Sequence, residues 1–326
     1  MTSHTSMDDA SDEAPPYFSI VIPTHNRIDT LLRVLGSLDQ QANAPSFEVI
    51  VVNDGSTDAT AEVIDRALRL GTFRFHLVFI TQPNSGPGRA RNRGVESAKG
   101  RFVVFIGDDT VPEPLFLSEH ARVHEQSGND PFLACLGYTG WPDGETVTPF
   151  MDHINDFGLQ FGYKLIRSRT VVPFNFFYTS NISLDRSLLA SNPFDTSFPS
   201  AAWEDIELAY RLDGFGLRIH YNQEAITRHY HPMTVDSFAQ RQYAVGRSGS
   251  IFFHKHPELG HFLGVHELQQ RPLADEGELR RLRLLARLGE RFRILARPSV
   301  FERLMREHYL RGLRDGLREI DAGQVE

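Results

Sequence analysis

Short apolar runs alternate with amphipathic stretches over the first third of the chain. Phe18–Pro23 is apolar, and the next segment spaces Leu31, Val34, Leu35 and Leu38 by three and four residues. That pattern predicts a buried strand followed by a helix started by Asp29 or Thr30. Phe47–Asp54 predicts a second strand, followed by Gly55-Ser-Thr-Asp58 and a helix carrying Ile64, Ala67 and Leu68. Phe75–Thr81 predicts a third strand, and a Pro/Gly-rich turn at Gln82–Gly88 leads into a helix through Arg91 and Val95. Arg101-Phe-Val-Val-Phe-Ile-Gly-Asp108-Asp109 then reads as a fourth strand buried on both faces, with a helix expected over Pro112–Gln126. This βαβα rhythm predicts a mostly parallel sheet with helices on both faces.

From Phe132 the rhythm breaks. Phe132–Gly140 and the aromatic-rich Val171–Leu184 predict strands of a mixed or antiparallel extension, separated by a Trp141/Phe/Gly-rich insertion to Tyr163. A helix is expected from Ala202 to Leu212, and the chain beyond Phe252 reads as helical. There, Leu282, Leu285, Leu288, Phe292 and Leu295 form one stripe, and Leu310, Leu313, Leu317 and Ile320 another, with Pro298 between. The expected organisation is an acidic disordered tail over 1–16, a catalytic domain over 17–250 and a helical extension over 251–326.

The 326 residues, 40% hydrophobic, suffice for a large core. A net charge of −8 gives a nucleic-acid partner no bulk electrostatic support. One cysteine, Cys135, rules out an internal disulfide and a cysteine-rich zinc site. No run of about 18 apolar residues and no basic-plus-apolar leader is present, so a cytoplasmic protein is expected, free or peripheral at the inner face of the membrane.

Candidate chemistry gathers at strand ends. Asp108 and Asp109 stand where open α/β sheets bind ligands, and two adjacent carboxylates call for a cation. Mg²⁺ or Mn²⁺ carrying a substrate phosphate would supply it; the alternative is a helix cap. Asp54 ends the second strand and could meet a nucleoside, or form an Asp-Gly turn with Asp58 as cap. Pro23-Thr24-His25-Asn26-Arg27 lines the same edge. Ser85-Gly-Pro-Gly88-Arg-Ala-Arg91-Asn-Arg93-Gly94 places arginines where a diphosphate would lie, or on a solvated helix face. It is neither a dinucleotide fingerprint nor a Walker loop, which disfavours a dinucleotide-dependent oxidoreductase. Trp203-Glu204-Asp205-Ile-Glu207 opens a helix with three acids, either dipole capping or a general base at Asp205 dried by Trp203. His229 and His231 share one face if extended, which suits a metal or an ordinary surface pair.

In this order the pieces resemble the family 2 glycosyltransferases, of GT-A fold. The resemblance rests on Ser19-Ile-Val-Ile-Pro23-Thr-His-Asn-Arg27, Val51-Val-Asn-Asp54-Gly-Ser-Thr-Asp58, Ala90-Arg-Asn-Arg-Gly94, Phe105-Ile-Gly-Asp108-Asp109 and Trp203-Glu204-Asp205-Ile-Glu-Leu. It covers Phe18 to Gly246. It implies an α/β GT-A nucleotide-binding half, a mixed-sheet acceptor half and a C-terminal helical extension. It further implies inverting transfer of a sugar from a nucleotide-diphosphate sugar to a glycan or lipid-linked acceptor, in polysaccharide or cell-envelope glycan synthesis. By this resemblance Pro23, Thr24, Arg27, Asp54, Arg91 and Asp108 hold the nucleotide sugar. Asp109 first and Asp108 second hold Mg²⁺ or Mn²⁺, with His229 or His231 completing the site. Asp205 is the base with Glu204 beside it, and Trp141 and Trp203 face the acceptor. Gly107 departs from the common pattern, standing where many members carry a first acid. A non-catalytic sugar-nucleotide or glycan-binding module and a nucleotide-sugar hydrolase are the alternatives on the same fold.

Twelve arginines lie between Arg280 and Arg318. They either rest on anionic lipid or line a helical cap packed on the catalytic domain; the interspersed Glu278, Glu290, Glu302 and Glu307 favour the cap.

Overall fold

Four apolar runs become the parallel half of one sheet. The computed structural model describes residues 14–144, 146–166 and 170–323, so the acidic start, with Asp8, Asp9, Asp12 and Glu13, lies outside the described residues. Strands β1 (Phe18–Thr24), β2 (Phe47–Asp54), β3 (His76–Gln82) and β4 (Phe102–Ile106) align in the order β3-β2-β1-β4. Phe18 stands opposite Phe47 on one side and Phe102 on the other. The crossovers are helices α1 (Ile28–Leu38), α2 (Thr60–Leu70) and α3 (Pro87–Ser97). Because both faces are covered, alternate residues of each strand enter different cores, which is why these runs are continuously apolar. Ile20, Ile22, Val49, Val51 and Val104 pack on the α1 side, whereas Val21, Ile50, Val52, Val103 and Phe105 pack with Ala90 and Val95 of α3. Gly94 lets α3 press onto Val21; a Cβ there would collide with a valine methyl.

The sheet continues with β8 (Asn181–Asp185) antiparallel to β4, then β6 (Leu133–Gly140), β9 (Arg218–His229) and the short β5 (Thr110–Pro112), while β7 (Val171–Val172) pairs β9. Between these strands lie α4 (Phe116–Gln126), α5 (Pro149–Asp156), α6 (Arg186–Ser191) and α7 (Glu204–Gly214), and after β9 come α8 (Val235–Lys255), α9 (Val265–Gln270), α10 (Glu276–Arg291) and α11 (Pro298–Asp321). The fold is the mixed α/β architecture expected.

Several local expectations are corrected. Helix α1 starts one residue after Arg27, and neither Asp29 nor Thr30 caps it. Asp58 does serve the next helix, accepting from Thr60 N at 3.0 Å. Thr110–Pro112 is strand rather than helix start, since it pairs with β9, and α4 begins only at Phe116. Val171–Leu184 holds a two-residue strand and a 3₁₀ turn before β8, so only its ends are extended. Helix α8 is continuous through residue 250, where a domain boundary was expected. The stripe Leu282–Leu295 is not one packed face: Leu282 is buried, but Leu285, Leu288, Phe292 and Leu295 are exposed. Helices α8 and α11 approach backbone to backbone, with Gly246 against the Tyr309 carbonyl and Gly312 against the Tyr243 carbonyl.

Candidate active site

Asp108 and Asp109 leave β4 at the carboxyl edge of the sheet. The β5–β9 pairing sets Thr110 opposite His229, and Tyr230 N donates to Asp109 O at 2.7 Å. This long-range register brings His229 Nε2 and His231 Nδ1 each to 3.5 Å from Asp109 Oδ2. The two imidazoles stack with centroids 5.7 Å apart. From the turn after β1, Arg27 Nη1 donates to Asp109 Oδ2 at 2.6 Å and to Asp108 Oδ1 at 3.2 Å, and Thr24 Oγ1 donates to Asp108 Oδ2 at 2.8 Å.

The two neighbouring carboxyls are driven apart. Burial first, then the charge of Asp109, pushes Asp108 up to about 6 against the pull of Arg27 and Thr24. Burial would raise Asp109 too, but the hydrogen bonding and field of His229, with Arg27 and His231, take it down to about 2. Asp109 is therefore the fixed anion of the pair, and its Oδ2 is the point on which three cationic or metal-ligating groups converge.

Among the described residues no three His, Cys, Asp or Glu side chains form a ready-made metal cage. The Arg27 guanidinium takes the oxygen that an ion would need. The donor chemistry nevertheless fits a divalent ion: an ionised carboxylate oxygen and two imidazole nitrogens face one another, and Arg27 is a displaceable surface-side cation with 42% of its side chain exposed. Gly107 leaves room for this arrangement, since a Cβ there would stand 2.9 Å from Asp109 Oδ1.

Asp54 closes a second part of the wall. Its Oδ1 accepts from Gln82 Nε2 and Ser85 N, both at 2.8 Å, and its Oδ2 from Gly86 N at 3.0 Å. The carboxylate thus holds the loop that leads into α3. Of the arginines on that helix only Arg91 turns inward; Arg89 is exposed, and Arg93 pairs with Glu96 on the surface. Arg91 Nη1 lies 2.7 Å from Glu204 Oε1, tying α3 to α7, with Arg91 Nε and Glu204 Oε2 lacking any hydrogen-bond partner among the described residues.

Glu204 and Asp205 open α7. Trp203, just before it, adopts φ +73, a left-handed conformation that costs a non-glycine residue about 1–3 kcal/mol. Its indole N–H donates to Val245 O at 3.0 Å, which fixes the ring against α8. Asp205 Oδ1 accepts from Ile206 N at 2.9 Å, while Oδ2 has only long contacts of 3.4 Å to Thr179 N and Oγ1. Burial, then the charge of Glu204, holds the Asp205 carboxyl well above the usual carboxylate range, with Arg91 pulling the other way. A weakly solvated carboxylate with a raised pKa has the character of a general base.

All these groups border one cavity of about 880 Å³: Thr24, Arg27, Asp54, Arg91, Asp108, Asp109, Trp203, Asp205, His229 and His231 line it. Trp141 does not line it. That indole is buried, stacks on His229 at 5.5 Å and donates to Met151 O, so it backs an imidazole rather than facing an acceptor. Tyr178, Thr179 and Arg241 line the cavity without having been singled out in the sequence. Arg241 is the most telling of them: it lies in the field of Glu204, Asp205 and Asp109, yet among the described residues no carboxylate pairs with it. Its signal was an arginine three residues after Phe238 on the inward stripe of α8.

Residues 19–189, more than half of the chain, match the family model for glycosyl transferase family 2. A validoxylamine A glucosyltransferase of Streptomyces hygroscopicus subsp. limoneus is 28% identical over 235 residues, covering 64% of this chain and 51% of that protein. The hyaluronan synthase of Pasteurella multocida is 27% identical over 229 residues, covering 61% of this chain and 23% of that protein. The chain thus spans about half the length of the first of these relatives and less of the second. In structure, the S. aureus TarS fragment 1–349 in complex with UDP is similar at TM-score 0.52 and 20% identity, covering 94% of this chain and 92% of that one. A Pyrobaculum calidifontis mannosyltransferase in complex with GDP-Man and Mn²⁺ reaches TM-score 0.56 at 17% identity, covering 96% and 78%. The ordered strand-end motifs, the GT-A architecture they build and the matched segment agree: the chain belongs to glycosyl transferase family 2.

Proposed function

We propose that the protein transfers a sugar from a nucleotide-diphosphate sugar to a hydroxyl of a glycan or lipid-linked acceptor, with inversion, in polysaccharide or cell-envelope glycan synthesis. The observation that carries this reading is the division of one cavity into two walls. An anionic, imidazole-flanked pair at Asp108–Asp109 stands on one wall, and a half-buried carboxyl of raised pKa, Asp205, on another. A relative named as a glucosyltransferase and a structural neighbour named as a mannosyltransferase, the latter holding GDP-Man and Mn²⁺, support it, as does the TarS fragment that holds UDP.

Asp205 accepts the proton of the acceptor hydroxyl as the oxygen bonds to the anomeric carbon. The bond from that carbon to the diphosphate oxygen breaks in the same displacement, and the nucleoside diphosphate leaves with the electron pair. One displacement inverts the anomeric centre. Mg²⁺ or Mn²⁺, held by Asp109 with Asp108, His229 or His231, would neutralise charge on the leaving diphosphate. Arg241, which has no carboxylate partner among the described residues, adds positive charge facing the same region, and Arg27, at the mouth of the same site, would be available to phosphate. Asp54 acts here by holding the Ser85–Gly86 backbone, so that the loop beside the donor keeps its shape. Glu204 positions Arg91 and sets the field around Asp205.

The test is a screen of nucleotide sugars for Mn²⁺-dependent thermal stabilisation, followed by an assay of nucleoside diphosphate release with and without glycan acceptors. Acceptor-dependent release that Asp205→Asn lowers by about 10²–10⁴ while donor stabilisation persists is the expected result. Equal release with no acceptor would move the assignment to a nucleotide-sugar hydrolase. Stabilisation without any turnover would move it to a binding module.

A further inference from the structure

Helix α10 carries a second apolar face that nothing among the described residues covers. Leu279, Leu282, Ala286 and Gly289 turn inward. On the opposite side Leu284 is 59% exposed, with Leu285 and Leu288 at 36% and 37%. The exposed set continues past the helix end through Phe292 and Leu295 to Ile294, 95% exposed in the turn before α11. Arg281, Leu284, Leu288 and Arg291 follow one another at three- and four-residue intervals and so share the outer face.

The charge on this face is strongly one-sided. From Leu279 to Arg297 the chain holds Arg280, Arg281, Arg283, Arg287, Arg291, Arg293 and Arg297 against one acid, Glu290. Glu290 is turned inward, accepting from Val235 N at 2.9 Å. Asp236 takes Arg287 at 2.7 Å and lies 3.8 Å from Arg283, and Asp152 takes Arg293 at 3.2 Å. Arg280, Arg281, Arg291 and Arg297 have no carboxylate partner among the described residues; Arg291 lies over the exposed Phe292 ring at 5.6 Å.

We propose that the outer face of α10 and the Phe292–Leu295 turn rest on an anionic lipid surface. Exposed leucines interleaved with unpaired arginines suit the headgroup boundary, where apolar side chains enter the acyl layer and guanidiniums reach phosphates. Among the described residues no helix is long and apolar enough to cross a membrane, so the contact is made by a helix lying along the surface. The chain as a whole carries −8, so attraction to anionic lipid comes from this patch and not from net charge. A second copy is a poorer occupant, because a two-fold contact through this face sets the same unpaired guanidiniums against one another.

Flotation of the full chain with phosphatidylglycerol-containing vesicles, compared with pure phosphatidylcholine, tests this independently of any catalytic reading. Binding is expected to the first only and to weaken as salt rises. Arg281→Gln and Arg291→Gln should each weaken it about fivefold. Leu284→Glu with Ile294→Glu should abolish it, while Leu70→Glu, at a leucine of α2 that is 69% exposed and outside this face, should not. The proposal is overturned if the full chain does not float with anionic vesicles, or if the double variant, folded by circular dichroism, floats as well as the parent. It is equally overturned if light scattering shows a dimer that the double variant dissociates, for then a second copy covers the face.

Discussion

Replacing Arg91 by Met tests how the donor-side helix α3 is locked to the base-side helix α7. Arg91 Nη1 and Glu204 Oε1 are 2.7 Å apart, with side chains only 9% and 3% exposed. At an effective dielectric of about 20, charges centred about 4 Å apart attract by about 4 kcal/mol. Met is of similar length and can keep packing on Phe194, over which the guanidinium now sits, so the loss is chiefly electrostatic. Glu204 would then stand buried beside Asp205 without its cation. Breaking a buried pair from one side costs about 3–5 kcal/mol. At about 2 °C per kcal/mol in a chain of this size, the melting temperature should fall by about 6–10 °C. The double variant Arg91→Met/Glu204→Met should recover most of this. The native pair is monodentate and leaves Arg91 Nε and Glu204 Oε2 unpartnered, so its net advantage over apolar packing is small. The same pair tunes the base: Arg91 pulls Asp205 down and Glu204 pushes it up. The rising limb of the pH–rate profile should therefore move to higher pH in Arg91→Met and to lower pH in Glu204→Gln. Urea denaturation of the parent, Arg91→Met, Glu204→Met and the double variant, with pH–rate profiles of the parent, Arg91→Met and Glu204→Gln, gives both readouts. A single-variant loss under about 1 kcal/mol, the range of exposed pairs, would refute the buried-lock argument. So would a double variant as unstable as the sum of its parts, or two limbs moving the same way.

Asp205→Asn should lower turnover by about 10²–10⁴ with donor affinity retained. Its effect on stability has a defined sign. A carboxyl whose folded pKa is raised keeps its proton better in the folded state, so its contribution to stability falls as pH rises from the unfolded value through the folded one. Asn removes that slope, and denaturation midpoints of the variant should gain on the parent between mildly acidic and mildly basic buffer; a parallel pH dependence in both proteins would contradict the raised pKa. Asp54→Ala leaves Gln82 Nε2, Ser85 N and Gly86 N without their acceptor and should cost about 1–3 kcal/mol, with weaker nucleoside diphosphate binding by calorimetry. Unchanged binding would show that the loop keeps its shape without the carboxylate. Gly94→Ala drives a methyl into Val21 and should destabilise by about 1–3 kcal/mol in urea; a neutral result would mean that α3 can lift from β1 without cost.

The parallel half of the sheet was legible because its inner strands β1, β2 and β4 are buried on both faces, which writes an unbroken apolar run into the chain, and the half-buried edge strand β3 keeps an apolar centre. The strand-end acids were legible for the same reason, since the run itself marks where the edge falls. What brings His229 to Asp109 was not: β5 is three residues long, contains Pro112, and finds its partner in β9 more than a hundred residues later. No local period encodes such a pairing. Helix α8 was missed over all but its last turn because most of its buried face is not apolar. Val235, Phe238 and Ala239 give way to Gln242, Gly246, Ser248, Gly249 and Ser250, small or polar residues that admit the α11 backbone. A helix packed by close approach carries no 3.6-residue hydrophobic signal, only a stripe of small side chains. Arg241 stands beside that stripe rather than on it, and among the described residues no carboxylate pairs with it. It lines the cavity that Asp205 and Asp109 share, where its charge faces their carboxylates and, on the function proposed above, would also face an anionic diphosphate.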